Sequence, residues 1–332
     1  MYNHQAHQTF GKTDNEGAQS QITLQAIKGQ IMEKQIIITA GSTYLDIDAY
    51  ACAVAMAELL RLLGEKAIAY SVSPYNYSIC DFLIKKGQIA HELPEGNAEF
   101  IIVDVSDPDY IKDSVPLDKV IAVYDHHVGF EEYWENKIGG GAHIEFIGAA
   151  ATLIWREWKK AGLCDRISAD IAKLLIAAIL DNTLNLTAKN TTNEDIETFH
   201  ELCQIAEIND NWRGVYFSAV QKSVEADLKN ALFNDIKTVK DNPVLPYKVG
   251  QLCVWDTESV LARLDEIREW FGESKSWMVN IIDIKARCSY FLCDEKGYQQ
   301  KLEKLFNIHF ENGVAKTKVS YLRKEIIKKT IC

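Results

Sequence analysis

Apolar and polar positions along the chain fall into a regular pattern from Gln35 onward. Short apolar runs that predict strands lie at 36–40, 67–71, 100–103 and 120–123. Stretches with helical spacing of apolar residues lie at 49–63, 149–161, 168–180 and 193–205. Strands that alternate with helices are typical of a parallel sheet covered by helices on both faces. The pattern therefore predicts an α/β fold whose N-terminal domain is a doubly wound parallel sheet.

The pattern changes beyond about Trp212, after which a segment with Pro243 and Pro246 leads into a second series of elements. Predicted strands lie at 251–255, 277–282 and 286–292, predicted helices at 259–271 and 299–306, and a basic tail ends the chain. We therefore expect three parts, namely a mobile extension at 1–31, an N-terminal domain at 32–215 and a smaller C-terminal α/β domain at 222–332. In parallel sheets ligands bind at the carboxyl ends of the strands, so the site is expected in the cleft between the domains.

Composition narrows the classes of function. The 332 residues include 36 Lys and Arg against 47 Asp and Glu, a net charge of -11, which disfavours duplex nucleic acid as a partner. No apolar stretch reaches the roughly 18 to 20 residues that span a bilayer, so we expect no membrane segment. Eight cysteines without a CxxC pair indicate reduced thiols, and the first residues lack the apolar core of a secretory signal. These features predict a cytoplasmic protein.

Acidic residues recur where the apolar strands end. Asp46 and Asp48 follow the first strand, Asp104 follows a later one, Asp125 precedes His126 and His127, and Asp181 closes the helix at 168–180. An isolated Asp after a strand is more often a turn residue or a helix N-cap. Carboxylates gathered at one sheet edge, however, repel one another unless a cation neutralises them. Oxygen ligands with one or two imidazoles favour Mn²⁺, Co²⁺ or Mg²⁺ over copper or structural zinc.

These residues resemble the DHH phosphoesterase superfamily, which is named for the Asp-His-His triplet found here at 125–127. The segments at 41–49, 102–104 and 178–186 are similar to its other motifs, and 147–152 is similar to a helix start between them. In the second half, Asp235-Ile236-Lys237, Ile282-Asp283-Ile284 and 322–325 are similar to segments of family II inorganic pyrophosphatases and prune-type exopolyphosphatases. The resemblance therefore implies a hydrolase that acts on phosphoanhydrides.

The resemblance also implies roles for individual residues. Two divalent ions, with Mn²⁺ favoured over Co²⁺ or Mg²⁺, would be held by Asp46, Asp48, Asp104, His126 and Asp181. Asp104 and Asp181 would bridge the two ions, and together with His127 they form the expected catalytic set. The expected substrate-binding residues are His127, Lys237, Arg323 and Lys324. Taken alone, the three cations would instead indicate a solvated surface.

Three positions depart from the pyrophosphatase pattern. Ser42 stands where those enzymes have a metal-binding His, Val105-Ser106 where His-Asn follows motif two, and Glu325 where the tail signature has Lys. The change at Ser42 is expected to weaken one metal site. The change at Val105-Ser106 is expected to alter the residues that hold the metal ligands in place, and Glu325 is expected to lower the positive charge available to an anionic substrate. His143, behind a run of three glycines, could compensate, although a surface loop histidine is the simpler interpretation.

We therefore expect an enzyme that releases phosphate from pyrophosphate or short-chain polyphosphate through two-metal activation of water. The alternatives are a phosphodiesterase or phosphatase of the same superfamily acting on a nucleotide, and a metal- or phosphate-binding regulatory protein with weakened turnover. The expected partner is a small phosphate-containing substrate, with neither duplex nucleic acid nor membrane, and a homodimer is left open.

Overall fold

The computed structural model describes residues 34–41 and 45–331. The predicted extension at 1–31 and the departure at Ser42 lie outside these residues. The first sheet contains five parallel strands, namely β1 (Gln35–Thr39), β2 (Ala67–Ala69), β3 (Ala98–Val103), β4 (Val120–Asp125) and β5 (Ala142–Ile144). Their order is β2-β1-β3-β4-β5, so the chain reverses its direction of travel across the sheet between β1 and β3. Ligands in such folds bind at this switch point. Asp104 directly follows β3, whereas Asp46 and Asp48 lie where the helix after β1 begins.

Helices cover both faces of this sheet, as the alternation of elements predicts. They are α1 (Ile47–Leu62), α2 (Asp81–Ile84), α3 (Pro108–Ile111), α4 (Glu131–Ile138), α5 (Ala150–Ala161), α6 (Ala169–Asn182) and α7 (Asn193–Ile205). Successive strand residues point to opposite faces. Ile36 and Ile38 accordingly pack with α1, α5 and α6, whereas Ile37 packs with Trp134 of α4 in a separate cluster. The doubly wound prediction is confirmed.

Two helices, α8 (Asn211–Ala226) and α9 (Leu228–Asn234), lead into the second sheet. Its strands are β6 (Ile236–Thr238), β7 (Lys248–Val254), β8 (Trp277–Asp283), β9 (Cys288–Leu292) and β10 (Val314–Lys316), in the order β10-β9-β8-β7-β6. The β7–β8 pair is parallel and the other pairs are antiparallel. The predicted boundary between 215 and 222 falls within α8, and the division at those residues stays a prediction.

The remaining helices are α10 (Glu258–Leu261), α11 (Leu264–Phe271), α12 (Lys296–Phe306) and α13 (Arg323–Ile331). The prediction of one continuous helix at 259–271 is therefore wrong, because two helices, α10 and α11, are separated by Ala262 and Arg263. The Arg263 guanidinium donates there to the carbonyl oxygen of Glu225 in α8, at 3.3 Å. A contact distant in sequence therefore overrides the local helical pattern. The basic tail also forms a helix, α13.

Two further findings concern the whole of the described chain. None of its helices combines the length and the hydropathy that crossing a bilayer requires. Its cysteines, which are Cys52, Cys80, Cys164, Cys203, Cys253, Cys288 and Cys293, are all free thiols.

Candidate functional site

The first two acidic residues lie at the start of α1. Asp46 is the N-cap and accepts a hydrogen bond from the amide of Ala49 at 3.0 Å, so it has the simpler role expected of an acidic residue after a strand, and its role as a metal ligand stays a prediction. Asp48 is fully buried, and its two oxygens accept from the amides of Ala150 and Ala151 at 2.8 and 2.9 Å. These amides begin α5, whose own N-cap residue is an alanine without a capping side chain. Asp48 therefore ties the start of one helix to the start of another.

Asp104 follows β3 with a φ of 58°, in the left-handed region. Aspartate adopts this conformation at lower cost than most residues. Its amide still donates to the carbonyl oxygen of Tyr124 at 2.8 Å, which continues the pairing with β4. The turn brings the Asp104 carboxylate to the end of β4, where Oδ1 lies 3.3 Å from Nε2 of His126.

The orientation of His126 is fixed by a backbone carbonyl. Nδ1 lies 3.2 Å from the oxygen of Ile147, and because a carbonyl can only accept, Nδ1 carries the hydrogen. The lone pair of Nε2 then faces Asp104 Oδ1, and Asp48 Oδ2 is 4.0 Å away. Both Nε2 and Asp104 Oδ1 are buried without a hydrogen-bond partner. Opposed lone pairs at this distance repel unless a cation lies between them, so these residues fit a divalent metal ion.

His127 completes a group with Asp104 and His126 whose ligand atoms all lie within 4.8 Å of one another. Its Nδ1 is 2.9 Å from Asp125 Oδ1, which also accepts from the His127 amide at 3.0 Å. Burial raises the pKa of Asp125, but the hydrogen bonds from His127 outweigh it and leave the pKa below its ordinary value. The His127 side chain remains 55% exposed, so its Nε2 is available to a ligand.

Asp181 lies in the last turn of α6 and accepts a hydrogen bond from the hydroxyl of Tyr216 at 3.0 Å. Burial raises its pKa to about 7, although the Tyr216 hydrogen bond acts in the opposite direction. Tyr216 is fully buried in α8. The sequence does not distinguish Tyr216, because its spacing within α8 is that of an ordinary core residue.

The carboxyl groups raise one another's affinity for protons. Burial, followed by the charge of Asp104, raises the pKa of Asp48 to about 8. Burial and the nearby Asp46 raise the pKa of Asp104 well above its ordinary value. A divalent ion would take the place of these protons and remove the repulsion.

A cavity of about 300 Å³ joins the two halves of the chain, and we call it the central cavity. Its lining includes Asp46, His127 and Asp181 on the side of the first sheet, and Lys237, Arg323 and Lys324 on the side of the second. The structure thus brings two of the predicted carboxylates, Asp46 and Asp181, into one cavity with the three predicted cations, whereas Asp48 and Asp104 are not part of its lining.

Arg323 is the most buried of these cations, with 7% of its surface exposed. Its guanidinium donates to Asp235 Oδ1 at 2.6 Å and to the Asp235 carbonyl, and its amide donates to Gln251 Oε1 at 2.6 Å. Burial raises the pKa of Asp235 although the charge of Arg323 opposes this. Asp235 was noted in the sequence only as part of a motif, and the structure gives it the role of orienting Arg323.

Lys324 follows Arg323 in the first turn of α13, where the helix dipole favours anions. Partial desolvation lowers the pKa of Lys324, and the charges of Asp104 and Glu325 oppose this shift. Glu325 does more than lower positive charge, because its Oε2 accepts from the amide of Leu322 at 2.8 Å and so closes the start of α13.

The structure also locates the remaining departures. Ser106 is buried and donates from Oγ to the carbonyl oxygen of His127 at 3.1 Å, so the segment after motif two supports the histidines through a hydroxyl. His143 lies in β5 with its ring stacked on Tyr124 at 4.5 Å, and it is not part of the group around Asp104. The suggestion that His143 replaces a missing metal ligand is therefore wrong.

No family model matches the chain. Among curated proteins, it is 22% identical over 297 residues to a probable manganese-dependent inorganic pyrophosphatase of Exiguobacterium sp., covering 84% of this chain and 92% of that protein. It is 27% identical over 299 residues to the protein of the same name from Enterococcus faecalis, with 84% and 92% covered. The crystal structure of a putative family II inorganic pyrophosphatase from Methanococcus jannaschii matches with a TM-score of 0.63 and 22% identity over 90% of this chain and 98% of that one. The two chains share the fold.

The contact around Gly148 yields a first prediction. Gly148 follows the carbonyl that orients His126, and its amide donates to the buried Asp195 Oδ2 at 2.9 Å. A Cβ there would lie 2.5 Å from that oxygen and 2.6 Å from a methyl carbon of Thr183. We expect Gly148→Ala to destabilise the protein by about 1–3 kcal/mol through overpacking and to weaken Mn²⁺ binding. Urea unfolding and calorimetric titration with Mn²⁺ measure the two effects.

Gly214→Ala is the matched control for this substitution. A Cβ at Gly214, which lies in α8, meets no atom within 4 Å. Because alanine is the better helix former, we expect this control to leave stability unchanged or to raise it by about 0.5–1 kcal/mol. Equal effects of the two substitutions on Mn²⁺ affinity would contradict the role assigned to Gly148.

The raised carboxyl pKa values yield a second prediction. Asp48 and Asp181 have pKa values of about 8 and about 7 against an ordinary 3.8. The folded, metal-free protein therefore binds protons more tightly than the unfolded chain, and this contribution to stability is present below about pH 4 and lost as the pH rises to about 8. Mn²⁺ competes with those protons. We expect the rise in Tm on adding Mn²⁺ to grow from pH 6 to pH 8.5, whereas a rise that does not vary with pH would refute this account.

Proposed function

We propose that this chain, a member of the DHH phosphoesterase superfamily, is a metal-dependent phosphoanhydride hydrolase that releases phosphate from inorganic pyrophosphate or short-chain polyphosphate. Relatives named as manganese-dependent inorganic pyrophosphatases support both the reaction and Mn²⁺ as the preferred ion. The observation that carries the proposal is the central cavity, where carboxylates suited to cations face three cationic side chains suited to phosphate.

In this proposal the metal ligands are Asp46, Asp48, Asp104, His126 and Asp181. Asp104 and Asp181 would be shared by two ions, with Mn²⁺ preferred and Co²⁺ or Mg²⁺ as alternatives. When bound, such ions lower the pKa of water and offset the charge of a phosphate group. Support comes from the unpartnered His126 Nε2 and Asp104 Oδ1 and from the raised pKa values of Asp48 and Asp181.

The substrate would occupy the central cavity between the two sets of residues. Asp125 holds Nδ1 of His127, which leaves Nε2 of that ring to face a phosphate oxygen. Lys237, Arg323 and Lys324 would bind the other phosphate oxygens. Arg323 is suited to this role because Asp235 engages part of its guanidinium and fixes its plane, while the group has five donor hydrogens in all. These cations would offset the charge that develops on the leaving phosphate.

We also propose that the protein works in the cytoplasm, where its thiols stay reduced. Its partner would be a small phosphate compound, since a net charge of -11 opposes binding to duplex nucleic acid. A homodimer stays a prediction, which the mass of the protein in solution tests.

The assay of the proposed reaction is phosphate release from pyrophosphate and tripolyphosphate with Mn²⁺, Co²⁺ and Mg²⁺ in turn. We expect release to be fastest with Mn²⁺. The absence of release with every ion would overturn the enzyme proposal and favour a binding or regulatory protein.

Asp104→Asn and Asp181→Asn test the metal ligands. Asparagine also adopts the left-handed conformation, so the change at Asp104 should preserve the turn while it removes a negative charge. We expect kcat/KM for pyrophosphate to fall by more than the roughly 10- to 100-fold that loss of an outer partner of a metal site costs. The Tm rise with Mn²⁺ should shrink in parallel.

Asp265→Asn is the control for both variants, because this carboxylate is 95% exposed and paired with Arg268 on α11. It should leave kcat/KM and the Mn²⁺ effect unchanged. Near-normal turnover in both Asp104→Asn and Asp181→Asn would refute the proposed ligand set.

Arg323→Lys tests the opposite wall of the cavity. Lysine keeps the charge but loses the planar fork that Asp235 orients. Because a charge-assisted hydrogen bond contributes about 1.5–3 kcal/mol, we expect KM for pyrophosphate to rise roughly 10- to 100-fold. The Tm rise with Mn²⁺ should not change, and a variant that loses Mn²⁺ binding but keeps KM would contradict this division of roles.

A further inference from the structure

A second cavity, of about 650 Å³, adjoins the central cavity, and we call it the side cavity. His127 and Lys324 line both. A ligand held by these two residues can therefore extend from one space into the other. Pyrophosphate is small enough for the central cavity, and the proposed reaction assigns nothing to the side cavity.

The wall of the side cavity is largely apolar. Phe146 and Val128 line it with 68% and 56% of their surfaces exposed, and Ile147, whose carbonyl oxygen contacts His126, also belongs to the lining. Tyr321 also contributes to the lining, and its ring is held edge-on against Phe306 at 5.0 Å. Sites for organic ligands are typically apolar and aromatic with a few polar groups, whereas a site for inorganic phosphate alone is polar.

Four lysines and one carboxylate, that of Glu325, contribute the charged groups around this apolar wall. Lys189, Lys328 and Lys329 line the side cavity, and within the described residues none of them forms an ion pair with a carboxylate. Lys189 and Lys329 instead lie 4.8 and 5.8 Å from the centre of the Tyr321 ring. The side cavity therefore favours a ligand that combines a flat apolar group with negative charge.

Asn190 adds one buried, unpartnered acceptor to the lining of the side cavity. Its Nδ2 donates to the carbonyl oxygens of Gly148 at 3.2 Å and Asn182 at 3.5 Å. These two acceptors fix the orientation of the amide, because the opposite orientation would set oxygen against oxygen. The Oδ1 atom is left buried without a partner in the wall of the side cavity. An ionised phosphate offers no hydrogen to this atom, but the hydroxyl or amino group of an organic ligand does.

We propose that the side cavity binds the nucleoside part of a nucleoside phosphoanhydride whose terminal phosphates occupy the central cavity. The inference rests on the proposed function, because the central cavity supplies the cleavage. In the reaction, the oxygen of water bonds to the terminal phosphorus, and the bond from that phosphorus to the bridging oxygen breaks. A nucleoside diphosphate thus gives a nucleoside monophosphate, which keeps the bridging oxygen, one orthophosphate and one proton.

The test compares ADP, pyrophosphate and tripolyphosphate as substrates of the Mn²⁺-loaded full chain and of its Phe146→Ala variant. Phe146 is largely exposed, so its truncation should not unfold the protein. Because stacking of a base on an aromatic ring contributes about 1–3 kcal/mol, we expect kcat/KM for ADP to fall about tenfold or more. The values for both inorganic substrates should change less than about twofold.

Leu93→Ala is the matched control, since Leu93 is also an exposed apolar residue, at 44%, and lines neither cavity. It should leave all three substrates unaffected. Cleavage of pyrophosphate without cleavage of ADP, or an equal loss for ADP and tripolyphosphate in Phe146→Ala, would overturn the inference and leave the proposed function intact.

Calorimetric titration with AMP separates the two proposals when no substrate is cleaved. In that case the proposed function fails, and AMP binding that is weakened by Phe146→Ala but not by Leu93→Ala would still support the nucleoside site. Equal AMP binding by the two variants, or no binding by the unmodified chain, would overturn it.

Discussion

Buried carboxylates that face one another at the edge of a parallel sheet repel, and most features of the first domain either create or relieve that repulsion. The strand order β2-β1-β3-β4-β5 places the residues after β1, β3 and β4 at one edge. Asp48 and Asp104 meet there with most of their surface removed from water. Backbone amides at the start of α5 stabilise Asp48, whereas in the described part of the chain no Lys or Arg pairs with Asp104, which has only the two histidines beside it. A fold that keeps this arrangement is built around a bound cation.

The supports around these carboxylates extend well beyond the ligands. Asp195, itself fully buried, accepts hydrogen bonds from Gly148 and from the hydroxyl of Thr152, and so fixes the segment whose carbonyl orients His126. On the side of the second sheet, Asp235 accepts a hydrogen bond from Arg323 and fixes the orientation of its guanidinium. Each side of the central cavity thus has an acidic residue, outside the proposed ligand sets, that fixes the direction of a residue within them.

The sequence predicted strands β1 to β4 because each of them contains a continuous apolar run. It predicted the position of the site because acidic residues lie in the segments after β1, β3 and β4. It predicted less where structure depends on distant contacts. β5 follows three glycines, which are typical of a loop, and α10 and α11 are separated by a bond from Arg263 to α8. Tyr216 and Asp195 could not be recognised either, because nothing in their spacing distinguishes a buried polar group with a partner from an ordinary helix residue.

Two adjacent residues of α8 connect the halves of the molecule. Tyr216 donates to Asp181 on the side of the first sheet, while Phe217 stacks on Trp255, directly after β7, with ring centres 5.3 Å apart and planes 2° from parallel. Residues in contact do not respond independently to mutation. The effect of a substitution at Trp255 on stability should therefore depend on which residue occupies position 181, although position 181 lies beside the first sheet and Trp255 beside the second. One turn of α8 thus links a predicted metal ligand to the second sheet.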